Sequence, residues 1–148
     1  MTGNVSLQRV LTASPEKIFH AFTEPNAMAS WIPPYGFLCT VHEMTVEAGG
    51  YYRMSFNNFS TGKAHTFGGK YIEIKPAEFI QYTDQFDNPN LPGEMTTSVW
   101  LHKVSAGTEI KIVQEGIPAV IPVGMCYLGW QKSLENLAKL VEPEIPDA

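Results

Sequence analysis

The sequence predicts a single α+β domain in which an antiparallel sheet of about seven strands packs against a long C-terminal helix. Between residues 37 and 116, short runs rich in Val, Ile, Thr, Tyr and Phe alternate with Gly and Pro, a pattern typical of antiparallel strands. One strand pattern and two short helix patterns precede this region, and one long amphipathic pattern follows it. No repeat or linker divides the 148 residues, so we expect one domain throughout.

The first elements are a short strand at Val5–Leu11 and two short helices. Ser14 is a good helix cap and Pro15 suits the first helical position, so the first helix begins there. Pro25 opens the second helix, which ends near Trp31 because a Pro-Pro pair follows.

Six strands are predicted to follow. They span Phe37–Met44, Tyr51–Asn57, Phe67–Lys75, Phe79–Asp87, Met95–Val104 and Thr108–Glu115. In the last of them Ile110, Ile112 and Gln114 alternate with charged residues, as expected for a sheet with one face in water. The other face needs a cover.

The cover is predicted to be the C-terminal helix. Its apolar residues recur at helical spacing: Val123, Tyr127, Trp130, Leu134, Leu137 and Val141. Pro143 ends the helix, and Trp130, at the centre of the stripe, is expected to face the sheet. Gly129 beside it would let a ligand or another backbone approach the helix closely.

Composition narrows the functional classes. A net charge of -5 opposes binding to nucleic acids and to anionic membranes. Cys39 and Cys126, 87 positions apart, form neither a disulfide framework nor a zinc motif. The longest uncharged run, residues 116–131, contains two prolines and is too short to span a bilayer, and the N-terminus lacks a signal-peptide pattern. We therefore expect a cytoplasmic protein.

The sequence predicts no catalytic residue, metal site or cofactor. None of the four histidines has a metal-ligand spacing, and His42 and Glu43, adjacent on a strand, point to opposite faces. Cys126 lies among apolar residues, where a thiol stays protonated. The acids Asp84, Asp87 and Glu94 bracket a turn-rich loop that matches no calcium motif, so turn chemistry and solvation explain them.

An excess of large apolar side chains predicts a pocket for a hydrophobic or aromatic small molecule. The proposed lining residues are Trp31, Phe37, Met54, Phe56, Phe67, Tyr82, Trp100, Gln114, Met125 and Trp130. Aromatic and Met side chains with a few polar groups suit such a site, although ordinary core packing would explain them as well. Gln114 either orients the ligand or makes structural hydrogen bonds.

Six fragments, in order, resemble one known family. They are Ala13 to Pro25, Trp31, Gly49 to Arg53, Gly69 to Pro76, Gly107-Thr108 and Gly129-Trp130. The chain is similar to the START-like, or helix-grip, superfamily, in the branch of the activator of the ninety-kilodalton heat-shock-protein ATPase. The resemblance implies a sheet that wraps the final helix around a cavity. It leaves open a binding module, an enzyme like the polyketide cyclases, and a chaperone-interacting protein linked to the stress response.

Two departures from that family bear on partners and on the pocket. The eukaryotic activator has a separate N-terminal domain that engages the chaperone, and 148 residues leave no room for it. A chaperone partner is therefore weakly supported, and a homodimer stays possible. Where many relatives carry an aromatic pair, this chain has Trp31-Ile32, so one wall of the pocket is expected to differ in shape.

Overall fold

A computed structural model describes residues 2–147. The elements are β1 (Gly3–Leu11), α1 (Pro15–Thr23), α2 (Pro25–Trp31), β2 (Phe37–Met44), β3 (Tyr51–Asn58), β4 (Ala64–Lys75), β5 (Phe79–Phe86), β6 (Met95–Val104), β7 (Gly107–Ile117) and α3 (Val123–Val141). This order confirms the predicted α+β fold. The largest shift of a boundary is at β4, which begins three residues before the predicted Phe67.

The seven strands form one antiparallel sheet in the order β1-β7-β6-β5-β4-β3-β2. Each pair that follows in sequence from β2 to β7 is adjacent, and β1 closes the far side by pairing with β7. Register shifts interrupt β1, β2 and β4, as β-bulges do where a strand must bend. The sheet presents one continuous inner face to the helices.

The two short helices begin where their capping residues predict. The hydroxyl of Ser14 accepts a hydrogen bond from the backbone N–H of Lys17 (3.2 Å) and caps α1. Glu24 caps α2 in the same way, accepting from the N–H of Ala27 at 2.8 Å. Both helices have proline in their first turn.

Only part of the predicted stripe of α3 is buried. Trp130 and the residues after it on the stripe face the sheet: Leu134, Leu137 and Val141. Val123 and Tyr127, predicted to be covered, are 41% and 39% exposed. The N-terminal part of the apolar stripe lies beyond the area where α3 contacts the sheet. Helical periodicity alone therefore overestimated how much of the helix is buried. No helix within residues 2–147 is both long and apolar enough to cross a bilayer.

Candidate functional site

A pocket of about 180 Å³ lies between the inner face of the sheet and the helices α2 and α3. We call it the sheet–helix pocket. It is lined by Phe22, Met28, Ile32, Pro34, Tyr52, Met54, Phe56, Phe67, Tyr71, Ile80, Tyr82, Asp84, Met95, Gln114, Cys126, Gly129, Trp130 and Ser133. Most of these side chains are apolar, and Asp84 is the one acid among them.

The strands place their contributions by alternation. Side chains two residues apart on a strand share a face, so each strand contributes every second residue. The contributions are Tyr52, Met54 and Phe56 from β3, Phe67 and Tyr71 from β4, Ile80, Tyr82 and Asp84 from β5, Met95 from β6, and Gln114 from β7. The sheet thus supplies a wall of aromatic and aliphatic side chains with two polar groups, Asp84 and Gln114, on the same face.

The wall formed by α3 has a gap at Gly129. A Cβ atom at this position would meet no atom within 4 Å, apart from its chain neighbours and the backbone of its own helix. Gly129 lines the pocket, so the space left by its missing side chain belongs to the pocket. Gly124, one and a half turns earlier on α3, has the same open surroundings but does not line the pocket.

Aromatic rings pack edge to face along the sheet wall. The ring centroids of Phe56 and Phe67 lie 4.8 Å apart at an interplanar angle of 78°. Tyr52, Tyr71 and Tyr82 form a second cluster, in which the centroid distances are 5.7, 5.7 and 6.2 Å. Such contacts fix the rings in place, because each ring restricts its neighbours.

A chain of hydrogen bonds crosses the pocket from α3 to β5. The indole Nε1 of Trp130 donates to Oε1 of Gln114 (3.2 Å), and Nε2 of Gln114 donates to the hydroxyl of Thr97 (3.2 Å). Thr97 in turn donates to Oδ2 of Asp84 at 2.9 Å. The hydroxyl of Tyr52 donates to Oδ1 of Asp84, and the carbonyl oxygen of Thr83 lies 2.8 Å from the same hydroxyl. Every donor in this chain therefore points toward Asp84.

The residue Asp84 is 7% exposed, and the pKa of its carboxyl is shifted. Burial raises its pKa from 3.8 to about 6, while the polar groups of Tyr52, Thr97 and Gln114 partly oppose the shift. Burial also raises the pKa of Tyr52, Tyr71 and Tyr82, and the nearby carboxyl adds to the effect. At neutral pH the pocket therefore holds neutral tyrosines around a largely ionised carboxylate.

Six of the ten residues predicted to line a pocket do so. They are Met54, Phe56, Phe67, Tyr82, Gln114 and Trp130. Gln114 is 8% exposed and makes both of its observed hydrogen bonds inside the protein, to Thr97 and Trp130. Its amide therefore serves the internal network, which was one of the two roles left open for it.

Two predicted residues lie behind the lining. Trp31 is fully buried, donates from Nε1 to the carbonyl of Ala21 (2.9 Å) and packs edge-on against Phe22, which itself lines the pocket. Phe37 packs beside Phe56, at a centroid distance of 6.3 Å, without reaching the pocket. Both therefore pack behind residues that line the pocket, Trp31 behind Phe22 and Phe37 behind Phe56.

Two others lie on the outside of the domain. Trp100 falls between Val99 and Leu101, which face inward, so alternation turns its ring to the outer surface beside Phe79 (5.3 Å). Because Trp100 has an apolar residue on each side, the sequence shows no alternation there that would indicate its outward orientation. Met125 is 67% exposed, on the solvent side of α3.

Asp84 is the pocket residue whose burial sequence reasoning did not foresee. It fell within the predicted strand Phe79–Asp87 but was interpreted as a solvated acid beside the turn-rich loop, whereas in β5 its side chain faces the pocket. Its spacing of two from Tyr82, a proposed lining residue, was the signal that could have placed it on the same face. Tyr52 and Tyr71 were missed for the same reason, since alternation puts them with Met54 and Phe67.

Of the other polar candidates, His42 and Asp87 lie away from the pocket, whereas Cys126 lines it. Nε2 of His42 is 2.7 Å from the hydroxyl of Ser55, which sits on the opposite face of β3 from Met54. Asp87 pairs with Arg53 at the surface. Within residues 2–147 no group of three or more His, Cys, Asp or Glu side chains is arranged to hold a metal ion. Burial raises the pKa of the Cys126 thiol, which favours its protonated form.

Known proteins with the same fold include several of similar length. A crystal structure from Chromobacterium violaceum is 51% identical and superimposes with a TM-score of 0.94, covering 95% of this chain and 98% of its own. A protein from Rhodobacter sphaeroides is 18% identical with a TM-score of 0.83, covering 95% of each chain. An AHSA1-like protein from Aeromonas hydrophila is 14% identical with a TM-score of 0.76, over 93% of this chain and 90% of its own. The last two share the fold alone.

No curated protein sequence matches the chain significantly. The model of one protein family does match it, over residues 12–142, which include every element except β1. That family is described as activator of Hsp90 ATPase homolog 1-like protein. The match and the helix-grip architecture agree with the resemblance found in the sequence motifs, and the chain belongs to the family of activator of Hsp90 ATPase homolog 1-like proteins.

Proposed function

We propose that this protein is a non-enzymatic binding module that holds a hydrophobic or aromatic small molecule in the sheet–helix pocket. The observation that carries the proposal is a space of about 180 Å³ lined by Phe, Tyr, Met and Trp side chains. An apolar cavity of about 150 Å³ is large enough to bind benzene. The pocket is therefore suited to a ligand built around a single ring.

Packing supports this proposal over an ordinary core. Native interiors are filled to crystal-like density and contain few voids larger than a water molecule. Here three flexible methionines, Met28, Met54 and Met95, border a space that also extends over Gly129. Methionine adapts to ligands of varied shape, which favours a binding role for this region.

A pair of glycine substitutions tests the proposal. In Gly129→Leu the new side chain enters the pocket, whereas in Gly124→Leu a side chain of the same size is added on the same helix away from it. Binding of benzyl alcohol, a neutral single-ring probe, is measured by protein-detected NMR titration for the parent and both variants. We expect the parent and Gly124→Leu to bind alike and Gly129→Leu to bind at least about tenfold more weakly, since a filled cavity excludes the ring.

Equal affinity in all three proteins would place the probe outside the sheet–helix pocket. Absence of binding to the parent would remove the support for a single-ring ligand. Either result would overturn the proposal, provided that the amide spectra show all three proteins to be folded.

An acid–base enzyme resembling the polyketide cyclases is a second candidate, favoured by Asp84. A carboxyl in a cleft with a pKa near 6 is well placed to exchange protons at neutral pH. An enzyme would convert a bound compound into a product of different mass, and Asp84→Asn would abolish the conversion. A pure binding module would release its ligand unchanged, which mass spectrometry of incubated ligand mixtures distinguishes.

A further inference from the structure

We propose, resting on the binding function above, that the ligand is a cation: a small protonated amine that carries an apolar ring and places its ammonium group against Asp84. The inference concerns the charge of the ligand, which the apolar lining alone does not specify. It rests on the neutral hydrogen-bond donors and tyrosine rings around the carboxylate and on the lack of a basic side chain in the described lining of the pocket.

The groups that hold Asp84 are all neutral. Tyr52 donates to Oδ1 and Thr97 donates to Oδ2, so both carboxylate oxygens accept a hydrogen bond. Behind Thr97, Gln114 donates to the threonine hydroxyl, and Trp130 donates to Gln114. These donors orient the carboxylate and stabilise its charge in part, but they bring no positive charge.

A compensating cation is missing from the part of the chain that the structure describes. The lining of the pocket within residues 2–147 includes no Lys, Arg or His. The basic residue next to Tyr52 and Met54 on β3, Arg53, pairs with Asp87 on the outer face. Buried charges in proteins are normally paired, because removing an ion from water is costly. Asp84 is therefore a buried acid whose counter-charge would come from a proton or from a ligand.

The aromatic lining favours the same sign of charge. Tyr52, Tyr71 and Tyr82 cluster beside Asp84, with ring centroids 5.7 to 6.2 Å apart, and all three line the pocket. The faces of aromatic rings carry partial negative charge and attract cations. A carboxylate with three tyrosine rings around it makes the pocket attractive to an ammonium group and repulsive to an anion such as an aromatic acid.

Size limits the class further. A space of about 180 Å³ matches one ring with a short aminoalkyl arm, so we expect long-chain and multi-ring amines to fit it less well. The apolar wall formed by Met54, Phe67 and Ile80 suits the ring, while Asp84 suits the ammonium group. The probes are therefore benzylamine, benzyl alcohol and benzoate, which share a ring and differ in charge.

The affinities of the three probes at pH 7.5, measured by protein-detected NMR, test the inference. We expect benzylammonium to bind at least about tenfold more tightly than benzyl alcohol, and benzoate to bind most weakly, because the charges are separated by a poorly hydrated space. In Asp84→Asn the preference for benzylammonium over benzyl alcohol should disappear. Asp87→Asn, which neutralises an exposed acid three positions later, should leave all three affinities unchanged.

The pH dependence in the unaltered protein supplies a second test. A proton on Asp84 competes with the ammonium group, so benzylammonium affinity should fall about tenfold from pH 7.5 to pH 5, whereas benzyl alcohol affinity should not. The other titratable groups facing the pocket are Tyr52, Tyr71, Tyr82 and Cys126, and burial raises the pKa of each above its ordinary value. None of them changes charge over this range.

The possible results separate this inference from the function on which it rests. Equal affinity for benzylammonium and benzyl alcohol, with no effect of Asp84→Asn or of pH, would refute the inference that the ligand is a cation. It would leave the proposed binding function in place. Binding of none of the probes would overturn both. If Asp84→Asn does not fold, the pH series on the unaltered protein decides the question alone.

Discussion

The inner face of β7 passes through two regions of the molecule that differ in packing. Ile110 and Ile112 are fully buried, and with Leu11, Leu137 and Val141 they form what we call the packed end of the domain. Two residues further along the same face, Gln114 reaches the sheet–helix pocket, where space and polar groups replace dense packing. The inner face of this one strand therefore contributes to the packed core at one end and to the lining of the pocket at the other.

The two halves of α3 show the same contrast. Leu134, Leu137 and Val141 in the second half are buried. The backbone N–H of Thr12, directly after β1, donates to Oε2 of Glu142 (3.0 Å), directly after the helix. In the first half, Val123 and Tyr127 are partly exposed, and Pro122 supplies no side-chain cap. The loosely held half is the one that reaches the pocket through Cys126 and Gly129, so we expect it to adjust when a ligand enters.

This difference indicates which part of the chain stabilises the fold and which part is free for function. Residues at the packed end contribute burial without open space, whereas the pocket keeps a perturbed carboxyl and an unfilled gap, both costly to stability. Functional sites commonly keep such features. Substitutions at the two ends should therefore have opposite consequences.

The largest loss is expected at the packed end. Leu137→Ala removes a fully buried side chain and leaves a void, so the free energy of unfolding should fall by about 2–5 kcal/mol. Leu128→Ala, on the same helix but 56% exposed, should stay within about 0.5 kcal/mol of the parent. Urea denaturation measures both. A loss of less than 1 kcal/mol for Leu137→Ala would remove the distinction between the ends.

Asp84→Asn should instead raise the free energy of unfolding at neutral pH. The folded state holds the Asp84 proton more tightly than the unfolded chain does, so the stability due to this group falls as the pH rises from 3.8 to about 6. A shift of this size corresponds to about 3 kcal/mol. The Asn variant has no such titration, so relative to the parent it should gain about that much between pH 4 and pH 7.

The measurement is urea denaturation of both proteins at the two pH values. Asp87→Asn is the control: its carboxyl forms an exposed ion pair, and it should differ from the parent by less than about 1 kcal/mol at each pH. A stability difference between the parent and Asp84→Asn that is independent of pH would show that Asp84 is not buried as described.

Enlarging a side chain at each end sharpens the comparison. Ile112→Phe overpacks the packed end and should cost about 1–3 kcal/mol. Phe56→Trp extends into the pocket and should cost less than about 1 kcal/mol while weakening the binding of benzyl alcohol. Thermal denaturation gives the costs. If Phe56→Trp destabilises as much as Ile112→Phe, the pocket is closed in solution.

The smallest effect is a gain. Gly129→Ala replaces the poorest ordinary helix former with the best, and nothing beside the helix obstructs a Cβ atom there, so the protein should be stabilised by up to about 1 kcal/mol. Gly124→Ala, in the first turn of α3, should gain less because the helix begins at Val123. Thermal denaturation distinguishes the two, and a loss of stability in Gly129→Ala would mean that the gap is already filled.

Sequence reasoning reached the fold because local signals and periodicity agreed. Ser14 and Pro15 mark a helix start by their own chemistry, and the alternation of Ile110, Ile112 and Gln114 marks a sheet face. The order of elements needed nothing else, since hairpins connect the successive strands from β2 to β7.

The pocket was harder to predict because it depends on which face each apolar residue takes and on where α3 ends its contact with the sheet. Trp100 stands between two apolar neighbours, so hydrophobicity could not tell its face. Met125 and Tyr127 lie on a helix turn that extends past the covering surface. Asp84 was misjudged because acidic residues are usually exposed to water. Its burial depends on contacts with Tyr52 and Thr97, which are distant in sequence and visible only in the folded structure.

The central claim, that a ring compound occupies the sheet–helix pocket, is tested most directly by the methionine methyl groups. Met28, Met54 and Met95 line the pocket, whereas Met44 and Met125 do not, and Met125 is 67% exposed. In protein labelled with ¹³C at the methionine methyls, titration with benzyl alcohol should shift the signals of Met28, Met54 and Met95 through the ring current and leave Met44 and Met125 unchanged. Shifts confined to Met125, or none at any methionine, would contradict the account.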